Sequence, residues 1–260
     1  DGVLNLLHWR MEDGGRAPEP RAFQRHPPFA GRPVPVVTQS SFRRTGFTRA
    51  HLEGAPFHGW STVAVLVEQC RAQAEAGAPL VYAYYPGVDT VAHEFGLDDD
   101  RYRAELGFAD RLVGWLLDAL PAHATLLVTA DHGQAQVGPE GWVDLPTVAG
   151  LAPIQAGDGR FRHLHARPGG AADLLAAARE EVGERAWVFT RSELIDGGWL
   201  GAGRPTPAAG ARIGDVVLAA RDGWAFVDPA LRREADLVSA HGSLTEGEML
   251  VPLLAGRGRG

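Results

Sequence analysis

The 260-residue chain has a single cysteine, Cys70, and no lysine, all 25 of its basic residues being arginine. One cysteine excludes an intrachain disulfide and any zinc site built on several thiolates. A bound metal must therefore sit on His and carboxylate side chains. Positive charge is also short, because 32 Asp and Glu outnumber the arginines and leave a net charge of −7. No overall positive field exists to hold a nucleic-acid backbone, so a nucleic-acid polymer is not expected as a partner. An anionic substrate would have to be met locally, by metal ions or a few arginines. No apolar run approaches the roughly 20 residues that span a bilayer, so no membrane segment is expected in this chain. The opening residues, Asp1-Gly-Val-Leu-Asn5, lack a charged-then-apolar leader, and the expected location is cytoplasmic.

What is present is ordinary globular composition, 45% hydrophobic and 22% charged, enough for a normal core. Residues 1–33 read as surface connection with a short strand near residues 3–7, and residues 33–38 as a strand whose prolines stand near its start. A polar loop is expected over residues 39–60. Val63, Leu66, Val67, Cys70 and Ala74 recur at helical steps before Gly77, which makes Cys70 a core residue. Residues 79–85 form the next strand, stopped by Pro86-Gly87. Asp98-Asp-Asp100 caps a helix whose apolar face is Tyr102, Leu106, Ala109, Val113, Leu116 and Leu120. Residues 126–133, Leu-Leu-Val-Thr-Ala-Asp-His-Gly, then complete a strand–helix–strand unit long enough for a parallel crossover.

Residues 134–240 are less regular. They hold a strand at 160–167, a helix at 171–182 ended by Gly183, a strand at 186–190, and a Thr190/Glu193 capping box. Residues 197–212 are expected as loop, and 214–219 with 224–227 as a hairpin. Residues 249–254 are a last strand made irregular by Pro252.

Three short segments carry ligand chemistry: Asp89-x-x-x-His93, Asp131-His132-Gly133 and His241-Gly242. The first two follow apolar runs that read as buried parallel strands, and ligands of α/β sheets gather at such strand ends. The plain alternative for residues 126–133 is a strand and a turn in which Asp131 and Gly133 only shape the backbone. Two Asp and three His suit zinc or manganese. Five ligands exceed one catalytic zinc and fall short of two ions, which suggests a two-metal site with partners unaccounted for. Other candidates have simpler readings. His163 and His165 lie on one strand face as a solvent-facing polar stripe, and His123 is a surface residue after Pro121. The acidic run 98–100 is helix-capping charge, and Tyr82, Tyr84 and Tyr85 divide between strand core and the mouth of the site.

The segments Tyr85-Pro-Gly-Val-Asp-Thr-Val-Ala-His93-Glu-Phe-Gly96, Val128-Thr-Ala-Asp-His-Gly133 and His241-Gly-Ser-Leu-Thr-Glu-Gly-Glu-Met-Leu-Val-Pro252 resemble the three C-terminal metal motifs of the alkaline phosphatase superfamily, in its type I phosphodiesterase and nucleotide pyrophosphatase branch. The resemblance implies a three-layer α/β/α alkaline-phosphatase-like fold with a mostly parallel central sheet and a small α+β insertion. Residues 1–260 would be the C-terminal part of one catalytic domain, with the insertion or small lobe at about 134–240. It further implies two divalent ions, zinc before manganese, with Asp89, His93 and His241 on the first and Asp131 and His132 on the second. The implied chemistry is in-line attack on phosphorus of a small phosphoester by a Thr or Ser that lies, with an additional Asp ligand, upstream of this chain. Other members of the superfamily (a phosphomonoesterase, a sulfatase or a cofactor-independent phosphoglycerate mutase) and a non-catalytic metal-binding remnant are the alternatives.

Overall fold

The computed structural model describes residues 2–260. The chain divides into two compact units, one of Asp1–Asp89, Arg103–Thr129 and Leu253–Gly260, the other of Thr90–Tyr102 and Ala130–Pro252. The first holds a three-stranded parallel sheet in which Val36–Gln39 lies between Phe57–Trp60 and Tyr82–Ala83. Val37, Trp60, Leu66, Cys70, Leu112 and Leu116 form its buried core. The helix Val63–Glu75 thus turns the apolar stripe expected of it into this core, Cys70 included, whereas the helix Asp100–Ala119 buries Leu112 and Leu116 and leaves Leu106 of its expected stripe 43% exposed. Tyr85 belongs to this interior too. Its ring stacks on Trp60 at 6.3 Å and its hydroxyl donates to Glu105. Burial first, and the Glu105 carboxylate second, push its phenol above the ordinary range.

Two expectations fail in this unit. The stretch 39–60 is not a loop: it contains the helix Gly46–Leu52, capped by Thr45, and the strand Phe57–Trp60. That strand reads Phe-His-Gly-Trp, with too little apolar alternation to stand out, and is held by its ladder to Val36–Gln39. The strand Thr125–Thr129 is neither parallel nor buried on both faces. It pairs antiparallel with Leu253–Arg257, alternate residues are exposed, and Leu127 is 61% exposed. The C-terminal strand begins one residue after Pro252, because proline has no N–H to give to a ladder. The sheets are accordingly mixed rather than mostly parallel.

The second unit is built around an antiparallel sheet in the order Ala186–Thr190, Val216–Ala220, Phe161–His165, Ile154–Asp158. All five residues of Val216–Ala220 are buried. Val216, Leu218 and Ala220 face a core shared with Leu174, Ala178 and Val182 of the helix Ala171–Val182, while Val217 packs with Leu194 and Ile213 on the opposite face. An unbroken apolar run is what a central strand covered on both faces requires. The expected hairpin between this strand and 224–227 does not form. Residues Ala225–Phe226 leave the sheet to pair in parallel with Trp142–Val143, after a turn in which Asp222 has φ of +42°. The capping box of Thr190 and Glu193 is present, and the carboxyl of Glu193 is held below its usual range chiefly by the Thr190 backbone N–H. Residues 197–212 carry one short helix, Pro207–Gly210.

The stripe reading of residues 162–165 is also corrected. Arg162 and Leu164 are buried, and His163 is half-buried, with Gly214 N–H donating to its Nδ1 at 3.3 Å. Burial, reinforced by His165 and opposed by Asp158, pushes the His163 imidazole down to about 4. The face of Arg162 and Leu164 is buried and that of Phe161, His163 and His165 is half-buried, so the two histidines are not a solvent-facing stripe.

Candidate metal centre

Asp89 stands in the first turn of the helix Gly87–Phe95 and His93 follows one turn later, so both project from one face of a continuous rod. The unit boundary falls inside this helix, directly after Asp89. The His93 backbone carbonyl accepts the Val238 N–H at 2.9 Å, and the ring Nδ1 lies 2.8 Å from the Ser239 carbonyl oxygen. A carbonyl only accepts, so Nδ1 carries the proton and Nε2 presents the lone pair.

The other two histidines are brought together by a short antiparallel ribbon. Ser239 is opposite Gln136 and Ala240 opposite Ala135, so the residues that follow Ala240 and those that precede Ala135 emerge at the same end. His241 and His132 leave that end with their rings stacked, centroids 3.5 Å apart and planes 14° from parallel. The His93 ring lies 5.1 Å from that of His241. His132 Nδ1 is 2.9 Å from the Gly133 carbonyl oxygen, which again directs the ring's lone pair to Nε2. Asp131 is exposed, and its Oδ1 is 3.8 Å from His132 Nε2.

Ligating atoms of Asp89, His132 and His241 all lie within 4.8 Å of one another, and each residue is half-buried. Among the described residues this is the single candidate metal cluster. One carboxylate and two imidazoles are the donor number of a catalytic zinc with positions left for substrate or water. The cluster mixes the two sets that the resemblance implied, His132 of the second joining Asp89 and His241 of the first. His93 and Asp131 stand beside it rather than in it.

Two residues that sequence reasoning passed over hold these loops in place. Glu248, 2% exposed, accepts from Arg160 Nε and Nη2 at 2.7 Å each, from Ser243 N–H at 2.9 Å and from the Thr245 hydroxyl. Burial alone would raise its carboxyl, but the hydrogen bonds from Arg160, Thr245 and Ser243 outweigh that, and it lies below its ordinary range. Its backbone carbonyl accepts the Gly133 N–H at 2.8 Å. A Cβ at Gly133 would meet the Gly247 carbonyl oxygen at 2.0 Å, so glycine is required there by close approach. Gly242, with φ of +114°, turns the chain between His241 and Ser243 in a region open mainly to glycine.

The family model for type I phosphodiesterase / nucleotide pyrophosphatase matches residues 22–244. Among solved structures, human ectonucleotide pyrophosphatase / phosphodiesterase 5 superposes with a TM-score of 0.64 at 16% identity, over 85% of this chain and 59% of that one. The murine protein of the same name gives 0.66 at 16% identity, over 87% and 60%. An inactive form of the murine protein in complex with AMP gives 0.64 at 16% identity, over 85% and 59%. The chain thus spans about three fifths of the length of these relatives, and its fold is the α/β fold they share, with mixed sheets and helical layers. No curated protein shows a significant sequence match. The cytoplasmic expectation is corrected by these likenesses: the solved relatives are by name ectonucleotide pyrophosphatases. That expectation rested on the opening residues, which begin without Met and carry no information about compartment. No helix of the described residues is long and apolar enough to cross a membrane.

Proposed function

The chain belongs to the type I phosphodiesterase / nucleotide pyrophosphatase family, and from that premise we propose that it supplies the metal-binding part of a phosphoester hydrolase acting on small phosphoesters. The observation that carries the reading is the convergence of Asp89, His132 and His241 within 4.8 Å. We assign the five residues Asp89, His93, His241, Asp131 and His132 to two divalent ions, zinc before manganese. Ions of two-metal sites lie about 3.5–4 Å apart, so ligand atoms of both sets fall within reach of one another. A cluster that mixes the two sets is consistent with this spacing, and so is Asp131 Oδ1 at 3.8 Å from His132 Nε2.

Each side chain has a definable task. The Ser239 and Gly133 carbonyls hold His93 and His132 as the tautomers whose Nε2 lone pairs are available. The helix Gly87–Phe95 keeps Asp89 at a set distance from His93. Bound divalent ions would supply Lewis-acid stabilisation of the charge on the phosphoryl oxygens. We assign the nucleophile, a Thr or Ser, to a segment outside residues 1–260, so these residues alone are expected not to turn over substrate.

The test is metal analysis after dialysis against Zn²⁺, made on the protein expressed from its complete reading frame, together with hydrolysis of a chromogenic diester and the matching monoester. Two equivalents of metal and preference for the diester support the reading. Loss of at least one equivalent is expected in H241A and D89N. A protein that retains no divalent ion overturns it.

A further inference from the structure

We propose that the buried Arg160–Glu248 pair is the positioning device of the metal centre, a bracket that sets the spacing of the His132 and His241 rings. The inference rests on the metal-binding reading above and deepens it. Glu248 is bonded to both histidine loops: its carboxylate takes the N–H of Ser243, two residues after His241, and its carbonyl takes the N–H of Gly133, the residue after His132. A carboxylate offers about four acceptor positions. Here they are filled by two bonds from Arg160, one from Ser243 and one from Thr245.

Arg160 is itself wholly buried and spends its remaining amino group on the Trp224 carbonyl. The carboxylate is therefore held by a planar, bidentate fork and cannot rotate without breaking several charge-assisted bonds at once. Ser243 is pinned a second time, its hydroxyl donating to the Ala220 carbonyl of the central strand. The chain of contacts thus runs from the most buried strand of the unit, through Ser243 and Glu248, to the residues flanking each histidine. A pair retained only for stability has no need to reach both loops. Buried ion pairs are often replaceable by apolar residues at little cost in folding.

That property supplies the test. The double variant R160M/E248M keeps the volume apolar and removes the Arg160 anchor and the carboxylate arm of the bracket, leaving only the main-chain bond to Gly133, and R162M/D228M removes another buried pair of the same unit, whose bonds go to Gly157, Phe226, Ala230 and Glu234 and touch neither histidine loop. Affinity for Zn²⁺ is measured by competition with a chromophoric chelator, and the ligand field by the visible absorption of the Co²⁺ form. Loss of an outer-shell partner usually weakens metal binding by about 10–100-fold. R160M/E248M is expected to fall by that factor and to change the Co²⁺ spectrum, while R162M/D228M stays within about twofold of the parent. Parental affinity and spectrum in a folded R160M/E248M overturn the positioning role and leave the metal reading standing. Failure of the parent to bind any metal overturns that reading, and this inference with it.

Should the double variant not fold, hydrogen exchange on the unaltered protein decides. The amides of Gly133 and Ser243 are expected to be slow and to slow further, by a common factor, on adding Zn²⁺. Fast exchange at either, or a response to metal at only one, refutes the bracket.

Discussion

Replacing Gly133 by alanine tests whether the Asp131-His132-Gly133 loop is held by close packing against the Glu248 turn. The residue is not in a positive-φ conformation, so alanine meets no intrinsic backbone strain there. The obstacle is steric and lies in main chain. An added Cβ would stand 2.0 Å from the Gly247 oxygen, 3.1 Å from the Gly247 carbonyl carbon and 3.4 Å from the Glu248 Cα. Backbone cannot swing aside as the end of a flexible side chain can, so the two segments must part. Overpacking of this kind costs about 1–3 kcal/mol. Separation also breaks the Gly133 N–H bond to the Glu248 carbonyl, worth about 1 kcal/mol. Urea unfolding should therefore show G133A destabilised by about 2–4 kcal/mol, with zinc affinity reduced in the same variant. Gly150 serves as the control. It lies in the helix Pro146–Leu151, where an added Cβ would have nothing within 4 Å, so G150A should be neutral or up to about 1 kcal/mol more stable. An unchanged urea midpoint and unchanged metal affinity in G133A would refute the packing argument.

Other outcomes follow from burial and from shifted ionisation. The thiol of Cys70 is pushed up to about 11 by burial, which leaves only about a thousandth of it as thiolate at pH 8. It should ignore Ellman's reagent in the native protein and react stoichiometrically once urea unfolds the chain. His163, lowered from 6.5 to about 4, favours its neutral form when folded, so the unfolded chain binds the additional proton between those values and stability falls as pH falls through that window. The loss is about 2 kcal/mol between pH 7 and pH 4.5, and H163Q should show a correspondingly flatter profile; an identical pH dependence in the two proteins contradicts the assignment. Leu218, with no exposure, should cost about 2–5 kcal/mol on truncation to alanine. Leu127, 61% exposed, should cost under about 1 kcal/mol, and equal losses at both positions would show that the central strand has been misassigned.

Legibility in the sequence followed the range of the interaction involved. The helices 63–75, 100–119 and 171–182 were readable because a stripe at helical period and a cap are local properties. The capping box at Thr190 needs only four residues. Partnerships between strands were not readable. Val216–Ala220 has the composition of a buried strand, yet nothing within it says that its neighbours are 161–165 and 186–190 rather than 224–227. Thr125–Thr129 was likewise readable as a strand, while its antiparallel partner lies more than 120 residues away and its exposed face carries leucine. Arg160 and Glu248 gave a weak local signal. Glu248 directly precedes Met-Leu-Val, and a buried carboxylate declares itself only when its cation, 88 residues distant, is in view.

For the candidate metal centre, Asp89, His93, Asp131, His132 and His241 were singled out as candidate ligands by residue type and spacing, since the chemistry of a ligand resides in its side chain and the i, i+4 step of a helix is local. The sequence likewise determined that a site built on several thiolates is excluded and that any metal would rest on His and carboxylate. Which of the five converge was decided only by tertiary structure. The ribbon of Ser239–Ala240 on Ala135–Gln136 brings His241 onto His132, and the resulting cluster of Asp89, His132 and His241 cuts across the grouping that the family resemblance implied. Adjacency constrains neighbours one or two peptide units apart; a coordination sphere is set by distances of a few ångströms between loops, and those depend on strand register and on the buried pair that fixes both loops.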